Sequence, residues 1–281
     1  MNRAIRNAVH AIAATASTIM ASSCTDTIDM DYNTIDAIAV VEAHLSNMGF
    51  EATVCHTLDM SDTVHTQALE GATITIESAT MAPVTLTADD EGEIRTTGVR
   101  GQAGERYTLT LTTADGRTSK SSCTMPSPPI AFDAEFGSVK VLGEEYVTLD
   151  LRIATTDTTG DASGEQYFYY EVMRNGERYH WSRASTKGAL NGVAEKTIIC
   201  FAVKDREKKN PEDDGHDDIL WDGDEIEVRL YAIDAKIYEY LSELGMSGRT
   251  SANPQNMFSD NTLGYFSAEY AIIHPTIIFH L

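Results

Sequence analysis

Two stretches of this chain gather side chains that could recognise a ligand. The first, EQYFYYEVMRNGERYHWSRA (165–184), holds Tyr167, Phe168, Tyr169 and Tyr170, followed by Tyr179, His180 and Trp181. Successive residues of a strand point to opposite faces. One aromatic set can therefore fill a core while Tyr167, Tyr169, Tyr179 and Trp181 form a stacking platform for a sugar or peptide. The competing reading covers both faces with sheet and tail, the hydroxyls reaching backbone partners. The second stretch, NPEDDGHDDILWDGDE (210–225), crowds Asp213, Asp214, Asp217, Asp218 and Asp222 around His216 and Asp224. Hard oxygen ligands on a loop suit calcium, which takes six to eight of them. The loop lacks the order of an EF-hand, and a hydrated acidic connection between two strands explains it equally. Calcium is the only cofactor the residues suggest.

Catalytic patterns are missing. There is no nucleophile elbow, HExxH pair, P-loop or dinucleotide glycine fingerprint. With 43 acidic residues, chance pairs of carboxylates are unavoidable, so a glycosidase-like pair cannot be singled out. No catalytic residue is assigned, and an enzyme is not expected.

One further residue could be modified. Arg3 and Arg6 begin the chain, an apolar but diluted stretch spans 8–20, and Ala21-Ser22-Ser23 precedes Cys24. A basic start, an apolar middle and small residues at a cut site describe an export signal over 1–23. Its length and polarity exclude a membrane-spanning helix. Small residues directly before a cysteine resemble a lipobox, which makes Cys24 the lipidated first residue of the mature chain. Several acyl chains hold a protein firmly where one does so only marginally. Asp26, Asp29 and Asp31 follow at once, so 24–36 reads as a hydrated tether. That run also resembles the acidic surface-export signals of Bacteroidetes lipoproteins. A short N-terminal amphipathic helix, with Val9, Ile12 and Ile19 on one side, is the alternative.

The elements that would position these groups are strands. The chain has 281 residues, 42% of them hydrophobic, enough for one large or two ordinary domains with real cores. Its net charge of −22 repels phosphate backbones and anionic lipid surfaces, so nucleic acid is not an expected partner. AIAVVEAHLS (37–46), EATVCHTLDM (51–60), GATITIES (71–78), PVTLTADDEGE (83–93) and ERYTLTLTTADGRTSKSSC (105–123) alternate apolar residues with threonine and charge. That pattern belongs to half-exposed antiparallel sheets. Asp115-Gly116 and Asn175-Gly176 mark hairpins, the former expected as a type I′ turn. The proline-rich segment 125–130 is the expected linker, since Pro126, Pro128 and Pro129 cannot feed a ladder. Strands continue at 145–155, 196–204, 224–234 and 263–281. One helix is expected, capped by Asp234, with Ile237, Tyr240, Leu241 and Leu244 on one face and an end at Gly245. If Cys24 is lipidated, Cys55, Cys123 and Cys200 remain. A Cys55–Cys123 disulfide and buried free thiols are both open.

In this order, VVEAHLS (40–46), VCHTLDMSD (54–62), EGATITIES (70–78), GERYTLTLTTADG (104–116), PSPPI (126–130), VRLYAIDAKIYEYLSEL (228–244) and LGYFSA (263–268), together with Cys24, resemble a Bacteroidetes outer-membrane lipoprotein family, domain of unknown function 4249. The resemblance implies an all-β chain: an immunoglobulin-like or transthyretin-like β-sandwich over 37–124, then a second β-rich, sandwich-like domain with one short helix over 131–281. It also implies lipid anchoring at the outer membrane, on the cell surface, and association with a TonB-dependent outer-membrane transporter. The expected function is that of a non-catalytic accessory that captures or presents a ligand for such a transporter. The alternative is a surface adhesin or structural envelope protein that binds host or matrix glycans or proteins.

Overall fold

The computed structural model describes residues 37–58, 67–155, 165–189, 192–200, 219–250 and 254–280. Strands dominate because apolar residues recur every second position. In β1 (Ala39–Ser46), Val41, Ala43 and Leu45 are buried while Glu42 is exposed. The same alternation buries Tyr107, Leu109 and Leu111 of β7 (Arg106–Thr112). The threonines between them face outward and bond across strands, as Thr108 Oγ1 does with Ser122 Oγ at 3.1 Å.

In chain order the first eight strands are completed by β2 (Phe50–His56), β3 (Gln67–Ala68), β4 (Thr73–Ser78), β5 (Val84–Thr87), β6 (Glu93–Thr96) and β8 (Thr118–Thr124). Then follow β9 (Ala131–Val141), β10 (Glu144–Ala154), β11 (Tyr167–Arg174), β12 (Glu177–Ser185), β13 (Val193–Cys200) and β14 (Glu225–Ile233). The helix α1 (Ala235–Thr250), β15 (Leu263–Ile273) and β16 (Ile277–Ile278) close the chain. They form three sheets. Nine strands follow the order β12-β11-β14-β15-β1-β2-β3, with β16 on β14 and β6 on β2. The order β5-β4-β7-β8 makes a second sheet and β13-β10-β9 a third.

The smaller sheets enclose two separate cores with the long one. Core one packs Ile74, Ile76, Leu109 and Leu111 against Val41, Leu45, Val54 and Phe266. Core two packs Leu149, Leu151 and Ile153 against Phe168, Val172, Val228 and Leu230. These are the expected β-sandwiches. A buried tyrosine stabilises a corner of the first, where Tyr107 Oη accepts a hydrogen bond from the Gln102 N–H at 2.8 Å, as in immunoglobulin-like sandwiches.

The proline segment 126–130 carries the chain from one small sheet to the other. It separates two cores, but the long sheet runs past it. β15 pairs in parallel with β1 through Leu263–Glu269 and antiparallel with β14 through Tyr270–Ile273. Tyr270 packs against both cores, and Ile233, Ile237, Tyr240 and Leu241 from the C-terminal half join core one. Residues 37–281 accordingly form one compact unit.

Two local expectations change, and one hairpin was not foreseen. The turn after β7 is not type I′, because only Gly116 has positive φ. Thr113 N–H bonds to Arg117 O around a three-residue loop, the geometry in which a lone glycine adopts the left-handed region. The helix passes through Gly245 to Thr250, since one interior glycine costs only about 1 kcal/mol. Its start is as expected, with Lys236 N–H donating to Asp234 Oδ1 at 2.9 Å. Finally, a hairpin missed in the sequence joins β9 to β10 through Leu142 (φ 53°) and Gly143 (φ 93°).

Leu142 is fully exposed in a backbone region that costs an ordinary L-residue about 1–2 kcal/mol. Asparagine is the favoured residue at this type I′ position. Leu142→Asn is expected to stabilise the protein by about 1 kcal/mol, read as a higher urea midpoint with unchanged slope. A lower midpoint would contradict this account of the turn.

Candidate functional site

The aromatic hairpin forms as expected. Asn175 and Gly176 both have positive φ, at 53° and 87°, and close a two-residue turn between Arg174 and Glu177. Asp224 fixes its base: Oδ1 accepts from Asn175 Nδ2 at 2.9 Å, and Oδ2 takes the Arg174 guanidinium at 2.7 Å and Trp221 N–H at 2.8 Å. Strand alternation then sends Phe168, Tyr170 and Val172 into core two. Tyr167 and Tyr169 face the other way.

The four predicted platform residues do not share one surface. Tyr167 donates to Glu165 Oε2 at 2.6 Å and packs 5.0 Å from the Tyr238 ring of α1. Its phenol is pushed up to about 12, first by that carboxylate and then by burial. Tyr169 stacks on Tyr231 of β14, with centroids 4.4 Å apart and planes 6° apart. Trp181 sits opposite Glu171 and is 40% exposed, the most open of the four. Register slips between Val172 and Met173, and the extra residue is Tyr179. It lies under the Arg174 guanidinium, 5.7 Å from its ring centroid, and packs on core two. A bulge re-aims side chains in this way, and no period-two count could foresee it.

The face carrying Tyr169 continues across the long sheet. The register places Tyr231 beside Ala271, Ser267 beside His44 and His44 beside Glu51. An open groove of about 720 Å³ runs here, lined by His44, Glu51, Arg95, Arg229, Tyr231 and Glu269. Arg183 and Tyr265 are engaged by α1 beyond it, Arg183 through the Leu241 carbonyl and Tyr265 through the Tyr240 ring at 5.0 Å.

At the groove floor, His44 Nδ1 is 3.2 Å from Glu269 Oε2 and Nε2 is 2.9 Å from Tyr265 Oη. Glu269 is buried and also accepts from Ser267 Oγ at 2.9 Å. Burial alone would depress the His44 pKa. The charge and hydrogen bond of Glu269, with Glu51 and Glu42 beyond, outweigh it and raise the value to about 9. His44 is therefore an imidazolium at neutral pH, a double donor with no lone pair to act as a general base. Ser267 donates to Glu269 rather than to the imidazole. What the arrangement can do is present charged groups and the Tyr231 phenol, with Tyr169 stacked behind it, to a bound molecule. Burial first, then Glu269 and Glu171, raise the Tyr169 and Tyr231 phenols, so both remain protonated donors.

Sequence reading missed His44 and Glu269 as a pair. They lie 225 positions apart, and the only local signal was charge alternating with the apolar residues of β1. The acidic loop fares differently. Asp213, Asp214, Asp217 and Asp218 lie outside the described residues, and Asp222 stands 3.3 Å from His280 Nδ1. Among the described residues no group of three or more His, Cys, Asp or Glu could hold a metal. Cys24 and the expected leader over 1–23 also lie outside the described residues. Cys55 is half-buried and Cys123 buried, and both are free thiols. Burial pushes Cys123 up to about 12, where it is inert. No helix among the described residues is long and apolar enough to cross a membrane.

Two sandwiches sharing a continuous sheet define an all-β protein. The chain belongs to the family described as Domain of unknown function (DUF4249), which it matches over residues 25–269. Among solved structures it is similar to a two fibronectin type-III domain segment from chicken tenascin, at 9% identity and a TM-score of 0.24, covering 87% of this chain and 100% of that one. It is also similar to the FN1-FN3 domains of chicken CNTN1, at 9% identity and a TM-score of 0.26, covering 69% of this chain and 60% of that one. No curated protein matches the chain.

Proposed function

We propose that this protein is a non-catalytic cell-envelope lipoprotein, held at the outer membrane through Cys24, that captures or presents a ligand for a TonB-dependent transporter. The observation that carries the reading is the groove across the long sheet. It offers the Tyr231 phenol, backed by the Tyr169 ring stacked on it, and charged groups at His44, Arg229 and Glu269. The small residues before Cys24 and the acidic run after it support the anchor, and membership of the family supports the envelope setting.

The test is a pull-down from detergent-solubilised envelopes of cells carrying the wild-type chain or Cys24→Ala. The wild type is expected to carry acyl label and to recover a TonB-dependent transporter. Cys24→Ala is expected to lose the label and leave the membrane fraction. Wild-type protein that carries no lipid, or that recovers no transporter, sinks the reading. Trp181, 40% exposed on an edge strand, favours the second reading, a surface adhesin. Glycan-array binding without transporter recovery would select it.

A further inference from the structure

β9 ends the three-stranded sheet, so one row of its backbone groups has no strand partner. The two-residue turn at Leu142-Gly143 makes Val141 and Glu144 a pair that exchanges both hydrogen bonds. Odd-numbered residues of β9 therefore bond to β10, and the amides of Ala134, Phe136, Ser138 and Lys140 point away from it. The Ala134 N–H agrees, donating to the neighbouring Asp133 Oδ1 at 3.0 Å. Among the described residues no strand covers the other three. Long free edges are ordinarily blunted by charge, proline or a bulge. The second half of β9 is not. Val139, Val141 and Leu142 are exposed, and the one charge there, Lys140, has the opposite parity to the valines.

The first half of β9 carries charge of one sign. On the face turned away from core two, Glu135 stands directly opposite Asp150, and like charges so placed repel. Neither carboxylate has an ion-pair partner among the described residues. Asp150 Oδ2 accepts from Thr148 Oγ1 at 3.3 Å, and its Oδ1 is buried without a hydrogen bond. Gly137 lets this carboxylate reach over β9, since a Cβ there would lie 2.4 Å from Asp150 Oδ2. A hollow of about 250 Å³ on this face sets Asp133, Glu135, Asp150 and Glu195 against Arg152 and Lys196, an excess of two negative charges. His274, 3.2 Å from Asp133, reduces the excess to one when protonated. What remains sits at Glu135 and Asp150, beside the free edge.

We propose that β9 docks an extended segment of a partner protein, paired antiparallel to it as a fourth strand. Alternate side chains of that segment lay apolar groups over Val139 and Val141 and a lysine or arginine between Glu135 and Asp150. Backbone pairing supplies the affinity, and the alternate side chains fix the register. The odd positions of β9 become non-hydrogen-bonded pairs, where facing side chains approach most closely. A second copy of β9 cannot supply the cation, because Lys140, the only basic residue of the strand, lies on the other face. The inference is independent of ligand capture in the groove, which lies on the long sheet.

Fluorescence anisotropy on the full chain tests it, with labelled peptides TVTVTKTKT and TVTVTETET. A third probe is TVTVTKTKT N-methylated at its three inner threonines. The basic peptide is expected to bind about tenfold or more tightly than the acidic one, and more weakly as salt rises. N-methylation is expected to abolish binding, since it removes the donors that pair with β9. The double variant Glu135→Gln/Asp150→Asn is expected to weaken the basic peptide about tenfold and to melt like wild type. Ser138→Pro is expected to weaken it about tenfold or more, because that amide points outward and an edge proline blocks a new strand. The N-methylated peptide makes the same test without touching the fold. No binding of the basic peptide, equal binding of the basic and acidic ones, full binding after N-methylation, or wild-type affinity in the double variant would overturn the assignment. A dimer of the chain that Ser138→Pro dissociates would give the edge to a second copy and overturn it equally.

Discussion

Glu269→Ala is expected to destabilise the protein by about 3–5 kcal/mol at pH 7, because it leaves the His44 imidazolium without its counter-charge beneath the sheet surface. Glu269 also takes the Ser267 hydroxyl, so the substitution orphans a second buried donor. The double variant His44→Gln/Glu269→Gln is expected to regain most of the loss, since it removes both charges and keeps hydrogen-bonding groups in place. Urea unfolding of the single and double variants measures the coupling. A Glu269→Ala protein with wild-type stability would show that the pair is held elsewhere.

The same pair dictates a pH dependence with a definite sign. The folded-state pKa of His44, about 9, lies above the ordinary 6.5, so the folded chain holds this proton more tightly than the unfolded chain. Its contribution is fully present below about pH 6.5 and is lost as pH rises through about 9. The difference corresponds to at most about 3 kcal/mol. Unfolding free energy is therefore expected to fall between pH 7 and 9.5 in the wild type, and to fall less in His44→Gln. Parallel curves for the two proteins would refute the assignment.

Gly264→Ala is the second large effect. Gly264 sits at φ 101° where β15 begins, opposite Val41 of β1. A Cβ there would overlap the Val41 carbonyl oxygen and crowd its carbonyl carbon and amide nitrogen. Backbone cannot rotate away as a side chain can, so β15 must leave β1. Strain of about 1–3 kcal/mol from the dihedral adds to the broken pairing, and a loss of more than about 3 kcal/mol is expected, or roughly 10 °C in melting temperature. Gly104→Ala is the control. Its φ is also positive, at 82°, but nothing lies within 4 Å of the added Cβ, so it isolates the dihedral cost. Equal melting temperatures for the two variants would refute the close-approach argument. Because β15 serves both sandwiches, Gly264→Ala is also expected to raise the reactivity of the buried Cys123 thiol, which lies 3.9 Å from the Ala268 carbonyl.

Much of this architecture was legible without coordinates. Apolar residues at every second position placed β1, β7, β10 and β14 and the face each buries, because a strand's period of two leaves little freedom. Asn175-Gly176 announced its hairpin through the residues that tolerate positive φ, and Asp234 announced the start of α1. The turn at Leu142-Gly143 was not legible. Leucine is the wrong residue for it, and only the closure of β9 on β10 holds it there.

The limit of sequence reading lies where pairing is long-range. Alternation within β11 assigned Tyr167 and Tyr169 to one face, but the bulge that moved Tyr179 to the other depends on β12 being matched to β11 residue by residue. His44, Glu269 and Tyr265 became one charged cluster only when β15 docked in parallel on β1, across most of the chain. The sequence by itself determined which strands exist and which side of each is apolar, since those follow from local sterics and the cost of leaving apolar surface in water. Which strands became neighbours, that one sheet serves two cores, and which polar groups share its outer face were decided by tertiary structure. Strand order is chosen by the summed burial of the whole chain, and no single segment contains that sum.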